Sequence, residues 1–272
     1  MRIFKKKNRI IIILASMLLL CSAVLLFFNI DLNASKPAEA NQTETNQKIA
    51  NPEKPVNPTN SDQTKKSESK KVVYLTFDDG PSKLTENFLD LLKEHNIKAT
   101  FFMIGKNIQN PDYQKNMKRA VDEGHYIGAH SMTHDNTKLY KKKQFLSEMD
   151  KTTSLIQDVI GQSPKLVRPP YGSAPGLNNK GIRDQIAKKG LKVWDWTIDS
   201  NDWKLKDNPK QIIENVKQHT SKDIEVVLMH ETPQTLEALP EIIKFYKDEG
   251  YEFDVYSESA HFVCNFQKDE RL

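Results

Sequence analysis

The sequence predicts a parallel, barrel-like α/β domain of about seven strands, set behind an apolar N-terminal segment and a polar linker. Two observations carry this. From residue 72 onward, short β-rich runs alternate with helix-length amphipathic stretches, giving seven βα-like units. The unusual polar residues also fall at the C-terminal ends of the predicted strands, where such barrels gather their chemistry.

The elements follow in chain order. Residues 1–9 are a basic tail with Arg2, Lys5, Lys6, Lys7 and Arg9 and no acid. Residues 10–28, IIIILASMLLLCSAVLLFF, are almost wholly apolar. As a helix they would span about 28 Å, close to a bilayer core, so 10–30 is expected to be a single transmembrane anchor. The basic flank places the N-terminus in the cytoplasm and the rest of the chain outside the membrane. The alternative is a cleaved signal peptide, but the small-x-small site Ala38-Glu39-Ala40 lies far beyond the apolar run. Both readings export the domain. Residues 31–71 are rich in Asn, Pro, Lys, Glu, Ser, Thr and Gln, too polar to offset chain entropy, and read as a disordered tether.

The folded part is then 72–272. VVYLTF (72–77) is the first predicted strand. A helix follows at 82–96, with Leu84, Phe88, Leu91 and Leu92 on one face. ATFFMIG (99–105), HYIGAH (125–130), LVRPP (166–170), LKVWDW (191–196), IEVVLMH (224–230) and YEFDVYS (251–257) are the remaining strands. Helices are expected near 112–123, 141–160, 178–189, 209–219 and 234–248, the second of these carrying Phe145, Met149, Ile156 and Val159.

Charge and cysteine content exclude several function classes. The net charge of +4 is uneven: residues 1–71 carry +6 and residues 72–272 carry −2. The basic character belongs to the tail, which speaks against a nucleic-acid-binding domain. Cys21 and Cys264 sit far apart in different kinds of segment, so no disulfide framework and no thiolate zinc site is expected. Nothing indicates an obligate protein partner.

Five predicted strand ends hold the candidate chemistry: Asp78-Asp79-Gly80; His130 and His134 in HSMTH; Arg168 and Tyr171 in RPPYG; Asp199, Asp202 and Trp203 in TIDSNDW; and His230. Each is ambiguous alone. DDGPS also reads as a turn with Ser82 as helix cap, RPPYG as a stiff surface loop, and Trp203 as core. The remaining histidines, His95, His125, His219 and His261, lack such context and read as structural. Together, one Asp and two His suffice for a catalytic zinc that keeps a position open for water. The cation would offset the repulsion within the Asp78-Asp79 pair and leave one carboxylate free to act as a base.

TFDDGP, HSMTH, RPPYG, DSNDW and LMH, in this order, resemble the five motifs of the polysaccharide deacetylases, carbohydrate esterase family 4, across residues 72–257. The resemblance implies a distorted, incomplete (β/α) barrel. It implies that Asp79, His130 and His134 hold a divalent metal, Zn²⁺ first, with Co²⁺, Mn²⁺ or Ni²⁺ also compatible. Asp78 would be the general base, held by Arg168. The backbone N–H of Tyr171 would stabilise the oxyanion. His230 would be the general acid, oriented by Asp202. Pro169, Trp203 and Leu228 would line the sugar groove. Met229 and Glu231 stand where relatives often carry Leu and Asp, and HYIGA differs from the commoner form at Tyr126 and Ala129; neither departure removes a catalytic group.

The expected activity is removal of N-acetyl groups from an extracellular glycan, foremost the N-acetylglucosamine of peptidoglycan. Chitin oligomers, an exopolysaccharide, N-acetylmuramic acid and acetylxylan are alternative substrates. A glycan-binding wall protein with a structural metal is the alternative of another class.

Overall fold

The computed structural model describes residues 70–272, and its first strand organises the rest. β1 (Val72–Gly80) alternates Val73, Leu75 and Phe77 on one face with Tyr74, Thr76 and Asp78 on the other. The first set packs outward against helices, with the Phe77 ring 5.0 Å from Phe88 and 5.3 Å from Phe101. The second set points into the barrel, whose interior is filled by Phe102, Leu166, Trp194, Val226 and Tyr256. Both faces are therefore covered, as a parallel sheet requires.

After β1 come α1 (Thr85–Glu94), β2 (Thr100–Met103), α2 (Gly105–Ile108), α3 (Pro111–Asp122), β3 (Tyr126–Ala129), α4 (Phe145–Ile160) and β4 (Leu166–Val167). The chain continues through α5 (Lys180–Lys188), β5 (Lys192–Val193), β6 (Ile198–Asp199), α6 (Pro209–His219), β7 (Ile224–His230), α7 (Pro233–Asp248) and β8 (Glu252–Asp254). The strand order is β5-β4-β3-β2-β1-β7-β6, with all pairs parallel. One edge of β1 pairs β7 from Val72 to Asp78. The other edge is shared, β8 pairing Val72–Tyr74 and β2 pairing from Thr76 onward. Among the described residues no ladder joins β5 to β6, so the barrel stays open between them.

Local chemistry sets the helix boundaries. Asn110, Asn179, Asn208 and Thr232 each accept a backbone N–H in the first turn, and Pro111, Pro209 and Pro233 follow three of them at the first helical position. Gly161 ends α4 with φ of 77°, a left-handed conformation suited to glycine.

Every predicted strand and helix is present, with differences at the edges. β4, β5 and β8 are shorter than read; β4, although flanked by β3 and β5, stops ahead of Pro169 and Pro170, which have no N–H for a ladder. An eighth strand, β6, is too short to show a period. A short helix, α2, and a π turn at Thr137–Lys141 were not anticipated. α1 buries Thr85, Phe88, Leu89 and Leu92, whereas Leu84 is its cap and Leu91 only half-buried. The expected stripe is thus rotated, since Leu89 faces the core in place of Leu84. The expected anchor at 10–30 and the tether through residue 69 lie outside the described residues. Among those described, no helix is long and apolar enough to cross a membrane.

Candidate active site

The parallel register brings the strand ends together. Asp78 pairs with His230 across β1 and β7, and Ala129 with Val167 across β3 and β4, so the residues that follow those strands meet at one rim. At that rim, Asp79, Ser131, His134, Tyr171 and Asn201 all have positive φ without being glycine. Such backbone costs energy and clusters where geometry is held for function.

Three donors converge there. His130 Nε2 lies 3.5 Å and His134 Nε2 3.6 Å from Asp79 Oδ1, and the three ligand atoms lie within 4.8 Å of one another. Asp79 Oδ1 is buried and has no hydrogen-bond partner among the described residues. His130 Nδ1 donates to the Arg168 carbonyl at 2.8 Å, which leaves Nε2 as the unprotonated nitrogen facing Asp79. Burial pushes His130 down to about 3, so the ring stays neutral and able to ligate. An orphaned carboxylate oxygen beside two imidazole nitrogens fits a divalent cation.

Behind this trio, Arg168 is fully buried. Its Nη1 donates to Asp78 Oδ1 at 2.8 Å and to Thr76 Oγ1 at 2.7 Å, and its Nη2 and Nε donate to the carbonyls of Asp195 and Trp194. The guanidinium also sits 4.1 Å from the centre of the Phe102 ring. Burial pushes the Asp78 carboxyl above its ordinary range, while the Arg168 charge and hydrogen bond pull it back. Removing one partner of such a pair strands the other charge and typically costs about 3–5 kcal/mol.

Across the cleft, His230 Nδ1 donates to Asp202 Oδ1 at 2.7 Å, and the His230 backbone N–H donates to Asp202 Oδ2 at 2.6 Å. Thr235 donates to the same Oδ2 at 2.5 Å, and Asp202 is fully buried. Burial pulls the imidazole down, but the Asp202 hydrogen bond and charge outweigh it and raise His230 to about 9.

These groups border one cleft of about 420 Å³. Asp78, Asp79, His130, His134 and His230 line it, and Pro169, Tyr171, Trp203 and Leu228 form its walls. Arg168 and Asp202 stand behind the lining. Tyr171 is held with φ of 68°, its hydroxyl donates to the His134 carbonyl at 2.9 Å, and its ring packs 4.8 Å from His134. No group among the described residues accepts from its backbone N–H. Trp203 is 55 % exposed and presents its ring to the cleft, rather than joining the core. His125 accepts the Ala99 N–H at 3.0 Å and lies apart from the cleft, as a structural histidine should.

Some contributors were not assigned from sequence. Trp196 also lines the cleft, beside Asp199, which the sequence places at a strand end without giving it a role. Asp195 is fully buried and accepts the Ser173 and Phe266 N–H groups and the Ser173 hydroxyl, pinning the loop after RPPYG. Glu231 accepts the Ser82 and Thr85 hydroxyls, each at 2.6 Å, which ties β7 to the turn that carries Asp79. Burial pushes Glu231 up to about 7. Ser82 Oγ also accepts the Leu84 N–H, two residues ahead of the helix cap, which is Leu84 itself. The WDW spacing was the available signal for Trp196, since i and i+2 share a strand face.

Residues 65–194 match the family model described as polysaccharide deacetylase. A peptidoglycan-N-acetylglucosamine deacetylase of Bacillus cereus is 50% identical over 210 residues, covering 75% of this chain and 76% of the relative. A putative polysaccharide deacetylase of Bacillus subtilis, YheN, is 42% identical over 203 residues, 72% of this chain and 71% of that protein. Among solved structures, the polysaccharide deacetylase Bc1974 from Bacillus cereus superposes with a TM-score of 0.72 at 49% identity, over 75% of this chain and all of that one.

Proposed function

The chain belongs to the polysaccharide deacetylase family, hydrolases that act on N-acetyl groups of glycans, and from that premise we propose that it N-deacetylates the N-acetylglucosamine of peptidoglycan. The observation that carries this is the composition of the cleft. A cation-binding trio lies between a carboxylate held by arginine and an imidazole held by aspartate. The substrate assignment draws on the relative that is 50% identical.

An amide is a poor electrophile with a poor leaving group. A divalent cation held by Asp79, His130 and His134, Zn²⁺ first, would supply Lewis acidity toward the acetamide carbonyl. Asp78, ionised and fixed by Arg168 through Oδ1, takes the proton of the attacking water. The Tyr171 N–H donates to the oxygen on which charge develops, an interaction typically worth about 100- to 1000-fold. His230, protonated and held by Asp202, delivers its proton from Nε2 to the nitrogen as the C–N bond breaks. Acetate and a free amine leave. The wall formed by Trp203, Tyr171 and Leu228 holds the sugar ring against the cleft. With the 10–30 segment as an anchor, this cleft would face the wall outside the membrane.

The test is acetate release by the intact chain on peptidoglycan and on N-acetylglucosamine oligomers, after chelation and again after Zn²⁺ is restored. Release should vanish with the metal and return with it. Asp78→Asn should lower turnover about 100- to 10,000-fold while circular dichroism and metal content stay unchanged. Undiminished release by that variant would remove Asp78 from the reaction. A chain that binds glycan and metal but releases no acetate from either substrate would favour the binding-protein reading.

A further inference from the structure

Asp78, Asp79 and Asp199 line the cleft, with Arg168 paired to Asp78 and Asp202 paired to His230 behind the lining, so its carboxylates are largely matched by cations. Basic side chains collect in the segment that follows His134. Residues 135–143, DNTKLYKKK, carry Lys138, Lys141, Lys142 and Lys143 against a single acid, Asp135, although residues 72–272 as a whole have a net charge of −2. Lys141, Lys142 and Lys143 are exposed, and none of the four lysines makes an ion pair among the described residues. Asp135 feels the charges of Lys138 and Lys142, and is the one acid of the segment available to offset them.

These lysines are mounted rather than loose. Leu139, in their midst, is fully buried in the core. Tyr140 donates its hydroxyl to the Pro170 carbonyl at 2.7 Å. The Lys142 N–H closes the π turn on the Thr137 carbonyl at 2.8 Å, and Lys143 takes a φ of 56°. The turn is therefore bonded to the RPPYG loop, whose Pro169 and Tyr171 form the cleft wall. Four lysines held together against one acid raise the energy of the free protein, and an anionic ligand relieves that cost.

We propose that this lysine ridge docks the carboxylates of the peptide stems that peptidoglycan carries on the sugar next to N-acetylglucosamine. The inference rests on the peptidoglycan reading above and extends it to the way the glycan lies. The uncharged acetamide enters the cleft. The anionic stem lies toward the turn that Tyr140 bonds to the RPPYG loop. Chitin-type oligomers have no such group and gain nothing from the ridge.

The experiment uses the intact chain carrying Lys141→Gln, Lys142→Gln and Lys143→Gln together, assayed at low ionic strength. The substrates are soluble stem-bearing peptidoglycan fragments and neutral N-acetylglucosamine oligomers. On the stem-bearing fragments KM should rise about five- to tenfold with kcat unchanged. On the neutral oligomers neither constant should move. Raising salt should weaken the unsubstituted chain toward the variant on the charged substrate. An unchanged KM on stem-bearing fragments would overturn the proposal, and so would an equal shift on both substrates, which would mark structural damage. If the unsubstituted chain turned over oligomers but no peptidoglycan, the substrate reading itself would fail, and the ridge's role with it.

Discussion

His230 and Asp202 set the alkaline limit of the proposed reaction. His230 acts only while protonated. Its pKa of about 9 keeps the acid form through neutral pH, and activity should fall as pH rises through that value. In Asp202→Asn the burial remains while the carboxylate's charge is gone, so the imidazole should drop and the alkaline limb of kcat/KM should move down by roughly one to two pH units. A profile unchanged in that variant would show that Asp202 does not tune the acid. On the acid side, Asp78 loses its capacity as a base when it is protonated. Its burial raises that limb and Arg168 restrains it. Opposite environments for the two groups thus open a window between them, and the profile should be bell-shaped.

At the scale of the element, the segment from the end of β1 to the start of α1 is the most tightly determined. It carries the proposed base Asp78, the proposed metal donor Asp79 and the contacts to Glu231. Gly80 leaves no space beyond its hydrogen: a methyl there would collide with Glu231 Oε1 and stand 2.8 Å from Met103 Sδ. Gly80→Ala should therefore destabilise the fold by about 1–3 kcal/mol, read as a lower urea midpoint. It should also weaken Zn²⁺ retention against a chelator, because the Asp79 turn must shift to make room. A variant with the parental midpoint and parental metal retention would show that the turn has slack this packing does not reveal. The other rim loops reach comparable definition through positive-φ residues, each held by a bond from its surroundings, such as the Ser131 hydroxyl accepting the His134 N–H at 2.9 Å.

At the scale of the whole molecule, stability should depend on pH through His125, which is 5 % exposed and joins α3 to β3. Burial pulls it down to about 4. In the unfolded chain it takes up a proton below about 6.5, whereas in the fold it stays neutral until about pH 4. The unfolded state therefore binds more protons across that window. The stabilisation is complete above the upper value and is lost as pH falls through the lower one, by about 3 kcal/mol in total. His125→Gln should flatten the fall in urea midpoint between neutral pH and pH 4; an equally steep fall in the variant would assign the slope to other groups. Much of this molecule could be read before folding. Patterning of apolar and polar residues is a local property, so the longer strands and helices were visible to within a few residues, whereas the short β6 and α2 were not. The five polar motifs were visible because their residue types are costly to bury without purpose. What could not be read depends on which segments become neighbours. The strand order around β1, the brevity of β5, and the open seam beside β6 follow from non-local pairing. So do the burial of Arg168 against Phe102, the brace of Glu231 on Ser82 and Thr85, and the entry of Trp196 into the cleft. A residue's type and spacing are written along one chain, whereas the partner that satisfies a buried charge or bends a turn comes from a segment tens of residues away, and parallel register alone brings the two within bonding distance.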